Sequence, residues 1–378
     1  MSRVLVVTND FPPRQGGIQS FVAGVLERFD PAEVVVLTSS YDGAGAHDVA
    51  APYPIVRAST TMLLPTRGAT ARAAALIREH DCDAVWFGAA APLGLMAPAL
   101  RRAGARRLVA TTHGHEIGWA ALPGTRQLLR RIGTSVDVLT YLGDYTRRRL
   151  AKALPPGVRL EQLTPGVDID MFRPDIDGSA VRERHGLGDR PVVVCVSRLV
   201  PRKGQDVLID AWPAVLATVP DAVLLVVGGG SLQPKLERRA RERGVHDSVV
   251  ITGGVPWPEL PAHFAAADLF AMPCRTRWAG FDVEGLGIVY LEASATGLPV
   301  IAGASGGAPD AVLAGETGLV VNGADVAATA AAVGSLLQDS DRRRAMGAAG
   351  RSWVEKQWQW AQIAARLRGW LFEPESVT

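Results

Sequence analysis

Short apolar runs that break off into glycine-rich or polar loops recur along this chain, and that repetition constrains the fold more than any other feature. In the second half they are PVVVCV from Pro191, then Ala222 to Val227, Val249 to Thr252, Asp268 to Pro273 and Pro299 to Gly303. The first half repeats the pattern at Arg3 to Thr8, Glu33 to Thr38, Val85 to Phe87, Arg107 to Thr112 and Val136 to Leu142. A brief apolar run bounded by turn signals reads as a strand buried on both faces. Such strands alternating with helical segments build a mainly parallel sheet covered by helices. After the first strand, Ile18, Phe21, Val22, Val25, Leu26 and Phe29 keep a helical period, completing an opening strand–loop–helix unit.

A chain of 378 residues exceeds one ordinary core. The expected class is therefore α/β with two doubly wound, Rossmann-like domains. The segment Leu163 to Pro174, punctuated by Pro165, Gly166 and Pro174, reads as the linker. The expected domains are residues 1–165 and 166–357, with a last amphipathic, tryptophan-bearing segment at 358–378. Cys82, Cys195 and Cys274 lack metal spacing and read as reduced cysteines of a cytoplasmic protein. Ala84 to Leu100 is uncharged, but Gly88, Pro92, Gly94 and Pro98 interrupt it, so strand, loop and helix fit better than a membrane span. The net charge of +2 carries no nucleic-acid signature. It is uneven: 19 Lys and Arg oppose 13 Asp and Glu over residues 1–165, against 21 and 25 in the remainder. Met62, Leu63 and Leu64 sit beside Arg67, ahead of a helix with Arg72 and Arg78. That cluster is either a membrane-facing patch or a basic face over a packed apolar turn.

In an open parallel sheet, ligands bind beyond the carboxyl ends of the strands. Gly16 and Gly17 lie there after the first strand, as a close-approach point or a plain tight turn. The run Thr111-Thr112-His113-Gly114-His115-Glu116 ends another strand without the spacing of a zinc site. Arg198 and Lys203 occupy one strand-to-helix loop; a guanidinium grips phosphate oxygens bidentately and an ammonium supplies a point charge. After Asp268 to Pro273, Gly280, Gly285 and Gly287 crowd a turn, and a helix should begin near Gly287. A helix N-terminus offers free amides to an anion. Glu284 and Glu292 frame it, with seven residues between them. Asp168-x-Asp170 and Asp81-x-Asp83 match a metal-binding pattern only formally, so no metal site is expected.

Taken together, the Gly16-Gly17 loop, His113, the SRLVPRKG loop, the Glu-x7-Glu element and the PGVDIDMFRP linker resemble the retaining GT-B glycosyltransferases along nearly the whole chain. TNDFPPRQGGIQSF, VWFGAAAPLGLMAP, THGHEIGW and AMPCRTR are similar to an actinobacterial subgroup that mannosylates phosphatidylinositol mannosides. The resemblance implies transfer of mannose from GDP-mannose, through an α-1,6 link, to an anionic glycolipid at the inner face of the cell membrane. It implies no metal or other cofactor. By position, Arg198 and Lys203 would bind the donor diphosphate, with the amides near Gly285 and Leu286. Glu292 would hold the ribose, Glu284 would lie by the transferred sugar, and His113 would meet that sugar near the reacting carbon. Val255 would face the base, and Gly16 and Gly17 the phosphate. In this family the last helix returns to the first domain. Asp310 stands where the family pattern leads one to expect Glu. A soluble glycan acceptor, sugar-nucleotide epimerisation and non-catalytic nucleotide-sugar binding are the competing readings. Oligomeric state is not legible.

Overall fold

The computed structural model describes residues 2–14 and 16–372. Gln15 of the first loop and residues 373–378, which the sequence assigns to the last helical segment, lie outside the described residues. The chain divides into two compact units: Met1–Gly166 with Trp360–Thr378, and Val167–Gln359.

The first unit holds a seven-stranded sheet: β1 Arg3–Thr8, β2 Val34–Thr38, β3 Ile55–Arg57, β4 Cys82–Phe87, β5 Arg107–Thr111, β6 Val138–Tyr141 and β7 Leu160–Gln162. Its order is β3-β2-β1-β4-β5-β6-β7, and every pairing is parallel. Alternation along the strands feeds two separate cores. Leu5, Val7, Val35 and Leu37 point into one, and Val4, Val6, Val34 and Val36 into the other. The central strands are therefore apolar throughout rather than alternating, as a sheet covered on both faces requires.

The second unit carries β8 Val192–Val196, β9 Val223–Val227, β10 Val249–Gly253, β11 Leu269–Met272, β12 Val300–Gly303 and β13 Gly318–Val321 in the order β10-β9-β8-β11-β12-β13. Strand order reverses at β1/β4 in one sheet and at β8/β11 in the other. Helices leave to opposite faces at such a switch point, and a crevice opens beyond the strand ends.

Three strands escape the sequence pattern: β3, β7 and β13. All are three or four residues long, and all lie at sheet edges. An edge strand buries little, so β3 and β7 lack the apolar run that marks a central strand. The linker reading also needs correction beyond Gly166. Val167 and Phe172 are core residues of the second unit, and Phe172 packs edge-on to Trp257 and Phe264. Arg351 holds this segment by donating to the carbonyls of Ile169 and Phe172 at 3.1 and 2.8 Å. The Met62–Leu64 cluster divides as well. Leu63 is buried, its amide and carbonyl both bonded to the Asn9 side chain, while Met62 and Leu64 stay exposed.

The last helix, Trp360–Phe372, buries Ile363, Ala364, Leu367 and Leu371 in the first unit's core. Arg368 donates to Glu33 through two bonds, one at 2.6 Å. Trp360 needs glycine on both sides of it. A Cβ on Gly24 would come within 2.8 Å of its ring, and one on Gly166 within 2.6 Å of its backbone. The four tail tryptophans are shared out: Trp353 and Trp358 stack edge to face within the second unit, while Trp360 and Trp370 pack against the first.

Gly24→Ala and Gly166→Ala should each destabilise the protein by about 1–3 kcal/mol through overpacking at Trp360. Gly17→Ala, with nothing within 4 Å of the new carbon, should leave stability nearly unchanged. Thermal melts of the three variants check this ranking.

Candidate active site

At the second switch point, β8 ends at Val196 and the chain turns through Arg198 into a single helical turn, Pro201–Lys203. Gly204 follows in the left-handed region at φ 81°, because a Cβ there would lie 2.1 Å from the Pro273 carbonyl oxygen. That tight approach sets the β8 loop directly against the end of β11. Lys203 is buried, and its Nζ sits 2.7 Å from Glu284 Oε2. Arg202 Nε approaches the same oxygen at 3.6 Å, and its Nη1 lies 3.5 Å from Asp282. Arg198, by contrast, is exposed, and no described group pairs with its guanidinium. The pair expected to share one role thus differs: one cation is already neutralised by a buried carboxylate, and the other is open to an incoming anion.

Glu284 lies in the loop before the helix Ile288–Ala295. The glycines of the loop after β12 hold it there. A Cβ on Gly306 would meet the Glu284 carbonyl oxygen at 2.0 Å, and one on Gly307 the Gly285 carbonyl oxygen at 2.1 Å. The Gly307 amide donates to Glu284 O at 2.9 Å. These glycines therefore serve loop-on-loop packing and do not mark a ligand's approach. The amides of Gly285, Leu286 and Gly287 donate to no described group, and they stand at the N-terminus of an eight-residue helix. Free amides at a helix start favour a phosphate.

Glu292 lies on the buried face of that helix at 5% exposure, and no described side chain pairs with it. Burial pushes its carboxyl up to about 8. A buried carboxyl without a partner is costly unless a ligand supplies hydrogen-bond donors. Val255 is half-buried in the loop after β10, against the second unit's core.

The first unit carries the remaining residues. Gly16 and Gly17 follow β1 but differ in purpose. A Cβ on Gly16 would strike Gln19 Oε1 at 2.3 Å, while Gly17 faces open space. Gln19 is buried and donates to Asp10 Oδ1 at 2.7 Å. Desolvation raises the Asp10 carboxyl, with Arg14 and His115 acting in the opposite direction. His113, after β5, has its Nε2 2.6 Å from the carbonyl of Gly88 at the end of β4. A carbonyl can only accept, so Nε2 carries the proton and the neutral ring leaves Nδ1 as an acceptor. Desolvation above all holds His113 down at about 4, so it is neutral at physiological pH. The carboxylate of Glu116, wholly buried, accepts from the His113 amide at 3.0 Å. It fixes the turn that presents the ring.

Asp168 Oδ1 accepts from the amides of Asp170 and Met171, which caps a turn. Among the described residues no cluster of three or more His, Cys, Asp or Glu could hold a metal. Asp10 and Glu116 in the first unit, and Arg202 and Asp282 in the second, neighbour candidate residues of their own unit, and the sequence reading assigns them no role. Asp10, Arg202 and Glu116 stand inside the family-like motifs TNDFPPRQGGIQSF, SRLVPRKG and THGHEIGW, whereas no such motif covers Asp282.

Residues 179–353 match the family model described as glycosyl transferases group 1, and residues 15–171 match glycosyltransferase family 4. The chain is 58% identical, over 96% of its length and 97% of the relative's, to the GDP-mannose-dependent alpha-(1-6)-phosphatidylinositol monomannoside mannosyltransferase of Mycolicibacterium smegmatis. It belongs to the phosphatidylinositol monomannoside mannosyltransferase family. The Corynebacterium glutamicum member, named for a monoacylated acceptor, is 50% identical over 97% of this chain and 96% of its own. Among solved structures, Anabaena HepE in complex with UDP superimposes with a TM-score of 0.80 at 19% identity, covering 97% of this chain and 98% of that one. A Rickettsia africae glycosyltransferase also reaches 0.80, at 15% identity and 98% coverage of both chains. At such identities the likeness concerns the fold, which is GT-B.

The pH dependence of Glu292 has a definite sign. Its folded value of about 8 lies above the ordinary 4.5, so its neutral form is favoured on folding. Stability from this group is full below pH 4.5 and declines as pH rises through 8. Glu292→Gln should therefore change little at pH 5 and stabilise the ligand-free protein by a few kcal/mol near pH 9. Denaturant melts at the two pH values measure the difference.

Proposed function

We propose that this chain is a retaining mannosyltransferase that moves mannose from GDP-mannose to a phosphatidylinositol mannoside through an α-1,6 link, without a metal. The carrying observation is the charged cluster at the β8/β11 switch point, Arg198, Lys203 and Glu284 beside the free amides of Gly285 to Gly287. It stands in a chain 58% identical to a relative named for this reaction.

As the bond from the mannose anomeric carbon to the diphosphate breaks, negative charge collects on the leaving nucleotide. Preorganised cations and amides aimed at that charge lower the barrier. Arg198 is free to close on the diphosphate, Lys203 is held in place by Glu284, and the helix N-terminus adds its amides. Glu292 takes the ribose hydroxyls, which give its unpartnered carboxyl the donors it lacks. Val255 faces the base. Nδ1 of His113 accepts a hydrogen bond from a hydroxyl of the transferred sugar, and Gly17 leaves room for the diphosphate. Glu284 is engaged with Lys203 and Arg202 rather than free as a covalent nucleophile. This supports same-face transfer, in which a leaving-phosphate oxygen receives the acceptor hydroxyl's proton.

The acceptor brings the protein to the inner face of a membrane. No described helix is long and apolar enough to cross one. The helix Arg67–Glu79 displays Arg67, Arg72 and Arg78 beside exposed Met62 and Leu64, over a largely apolar cavity of about 450 Å³. Basic residues near an anionic surface contribute roughly 1 kcal/mol each. Arg72 is already paired with Glu79 at 3.0 Å, whereas Arg67 and Arg78 have no described partner.

Transfer from GDP-mannose to the lipid acceptor should proceed in excess EDTA, and Arg198→Ala should lower it on the order of 10²-fold or more with an unchanged melting temperature. Lys203→Ala should lose as much activity and also stability, because Glu284 then keeps only the longer Arg202 contact. A folded Arg198→Ala enzyme with normal turnover, or activity restored only by Mg²⁺ or Mn²⁺, would contradict the mechanism. In vesicle flotation, binding should require anionic lipid and weaken with salt. Replacing Arg67 and Arg78 by Gln should reduce it more than replacing Arg72 alone; equal binding to neutral and anionic vesicles would refute the basic-face reading.

A further inference from the structure

Between β11 and Glu284 the chain forms a small hairpin that none of the roles above uses. Arg277 and Asp282 pair as an antiparallel bridge, with Arg277 N to Asp282 O at 2.9 Å and Asp282 N to Arg277 O at 3.2 Å. Their side chains meet at 3.4 Å, and Arg202 reaches Asp282 at 3.5 Å while also facing Glu284. The base of the hairpin is thus tied to the charged cluster at the switch point.

Its tip is of opposite character. Trp278 is 70% exposed and Phe281 74% exposed, the two most exposed aromatic side chains among the described residues. Trp278 also sits at φ 48°, a left-handed conformation that bulky side chains avoid. Strain of this kind persists where the surroundings impose it, and it is often functional. Among the described residues, the charged group on the Trp278 ring is the Arg277 guanidinium, 5.2 Å from its centroid.

A convex tip of this kind does not suit a sugar. Saccharide and other small-molecule sites are concave, with free polar groups converging on the ligand. Here the polar groups at the base, Arg277, Asp282 and Arg202, are engaged with one another. Exposed tryptophan and phenylalanine with arginine beneath is instead the composition of a membrane-interface contact, apolar outward and cationic at headgroup depth. Chain connectivity sets the scale. Phe281 is three residues from Glu284, so their backbones are within roughly 11 Å of each other. In a phosphatidylinositol mannoside the sugars are separated from the acyl chains only by the inositol ring, a phosphodiester and glycerol, so the bilayer surface must come close to the reacting carbon.

We propose that residues 277–282 are an interfacial hairpin that places Trp278 and Phe281 in the headgroup–acyl boundary of the membrane carrying the acceptor. The inference rests on the acceptor being a membrane glycolipid, and the contact it adds belongs to the second unit. The hairpin's share is apolar, so it persists at salt concentrations that suppress the arginine contribution.

The test uses the full chain and vesicles of phosphatidylcholine with phosphatidylinositol. In high salt, Trp278→Ser/Phe281→Ser should reduce partitioning on the order of 10-fold or more relative to the parent. Vesicles with brominated acyl chains should quench the parent's tryptophan fluorescence, and the conservative Trp278→Phe variant should lose most of that quenching while keeping its fold. GDP binding and slow hydrolysis of GDP-mannose in water should be unchanged in both variants, and transfer to vesicle-borne acceptor should fall. Equal partitioning of the parent and the double variant, or equal quenching with and without Trp278, overturns the proposal. So does a parent that self-associates through these aromatics while the variant does not, with vesicle binding unaffected. Failure of the parent to mannosylate any lipid acceptor counts against the acceptor assignment instead; the partitioning and quenching arms read the hairpin independently of it.

Discussion

The contact between Lys203 and Glu284 organises the candidate site of the second unit. It joins the loop after β8 to the loop after β11 across the strand-order reversal, with both partners nearly removed from solvent. Removing either partner of a buried pair leaves an uncompensated charge. The geometry therefore depends on whatever holds the two loops in register. Close backbone approaches do this: Gly204 under the Pro273 carbonyl, Gly303 against Cys274, and Gly306 and Gly307 against residues 284 and 285. A side chain at any of these positions would push the loops apart.

Because Lys203 already faces Glu284, the charge of this loop still open to an incoming anion is that of Arg198. Among the described residues Arg198 has no partner and the amides of residues 285–287 donate to no group, while Glu284 Oε2 and Arg202 Nε, though in ion-pair contact, are buried without a hydrogen bond. Glu292 is the complementary case, an unsatisfied acid a short way along the same helix. Burial favours its neutral form, and donors supplied by a ligand, such as the ribose hydroxyls proposed above, would favour the ionised one. The first unit repeats the logic with hydrogen bonds: Glu116 and Gly88 between them fix the turn and the tautomer of His113. In each unit the exposed apolar residues noted above, Met62 and Leu64 in the first and Trp278 and Phe281 in the second, lie on connecting loops.

Much of this was legible in the chain itself. Apolar runs such as VLVVT, VVVCV and LFAM declare strands covered on both faces, since no half-exposed strand tolerates that composition, and their breaks into loops locate the ends where ligands bind. Glu-x7-Glu and SRLVPRKG carried the charged residues at readable spacing. The short edge strands did not announce themselves, because β3 and β7 bury too little to need an apolar run. Nor did the purpose of individual glycines: Gly16 and Gly17 are adjacent and identical in sequence, yet one packs on Gln19 and the other faces open space.

Sequence alone determined the two doubly wound units, the family and the residues with charge to offer, because those depend on periodicity and local motif. Tertiary structure decided which charges are spent and which remain available. Lys203 and Arg198 stand five positions apart on one loop, but burial against Glu284 neutralises the first and solvent keeps the second free. The protonation of Glu292 and His113 is likewise a tertiary property, since desolvation comes from residues distant in the chain. The pairing of Arg202 with Asp282, which ties the aromatic hairpin to the site, spans eighty positions and could be seen only in the folded molecule.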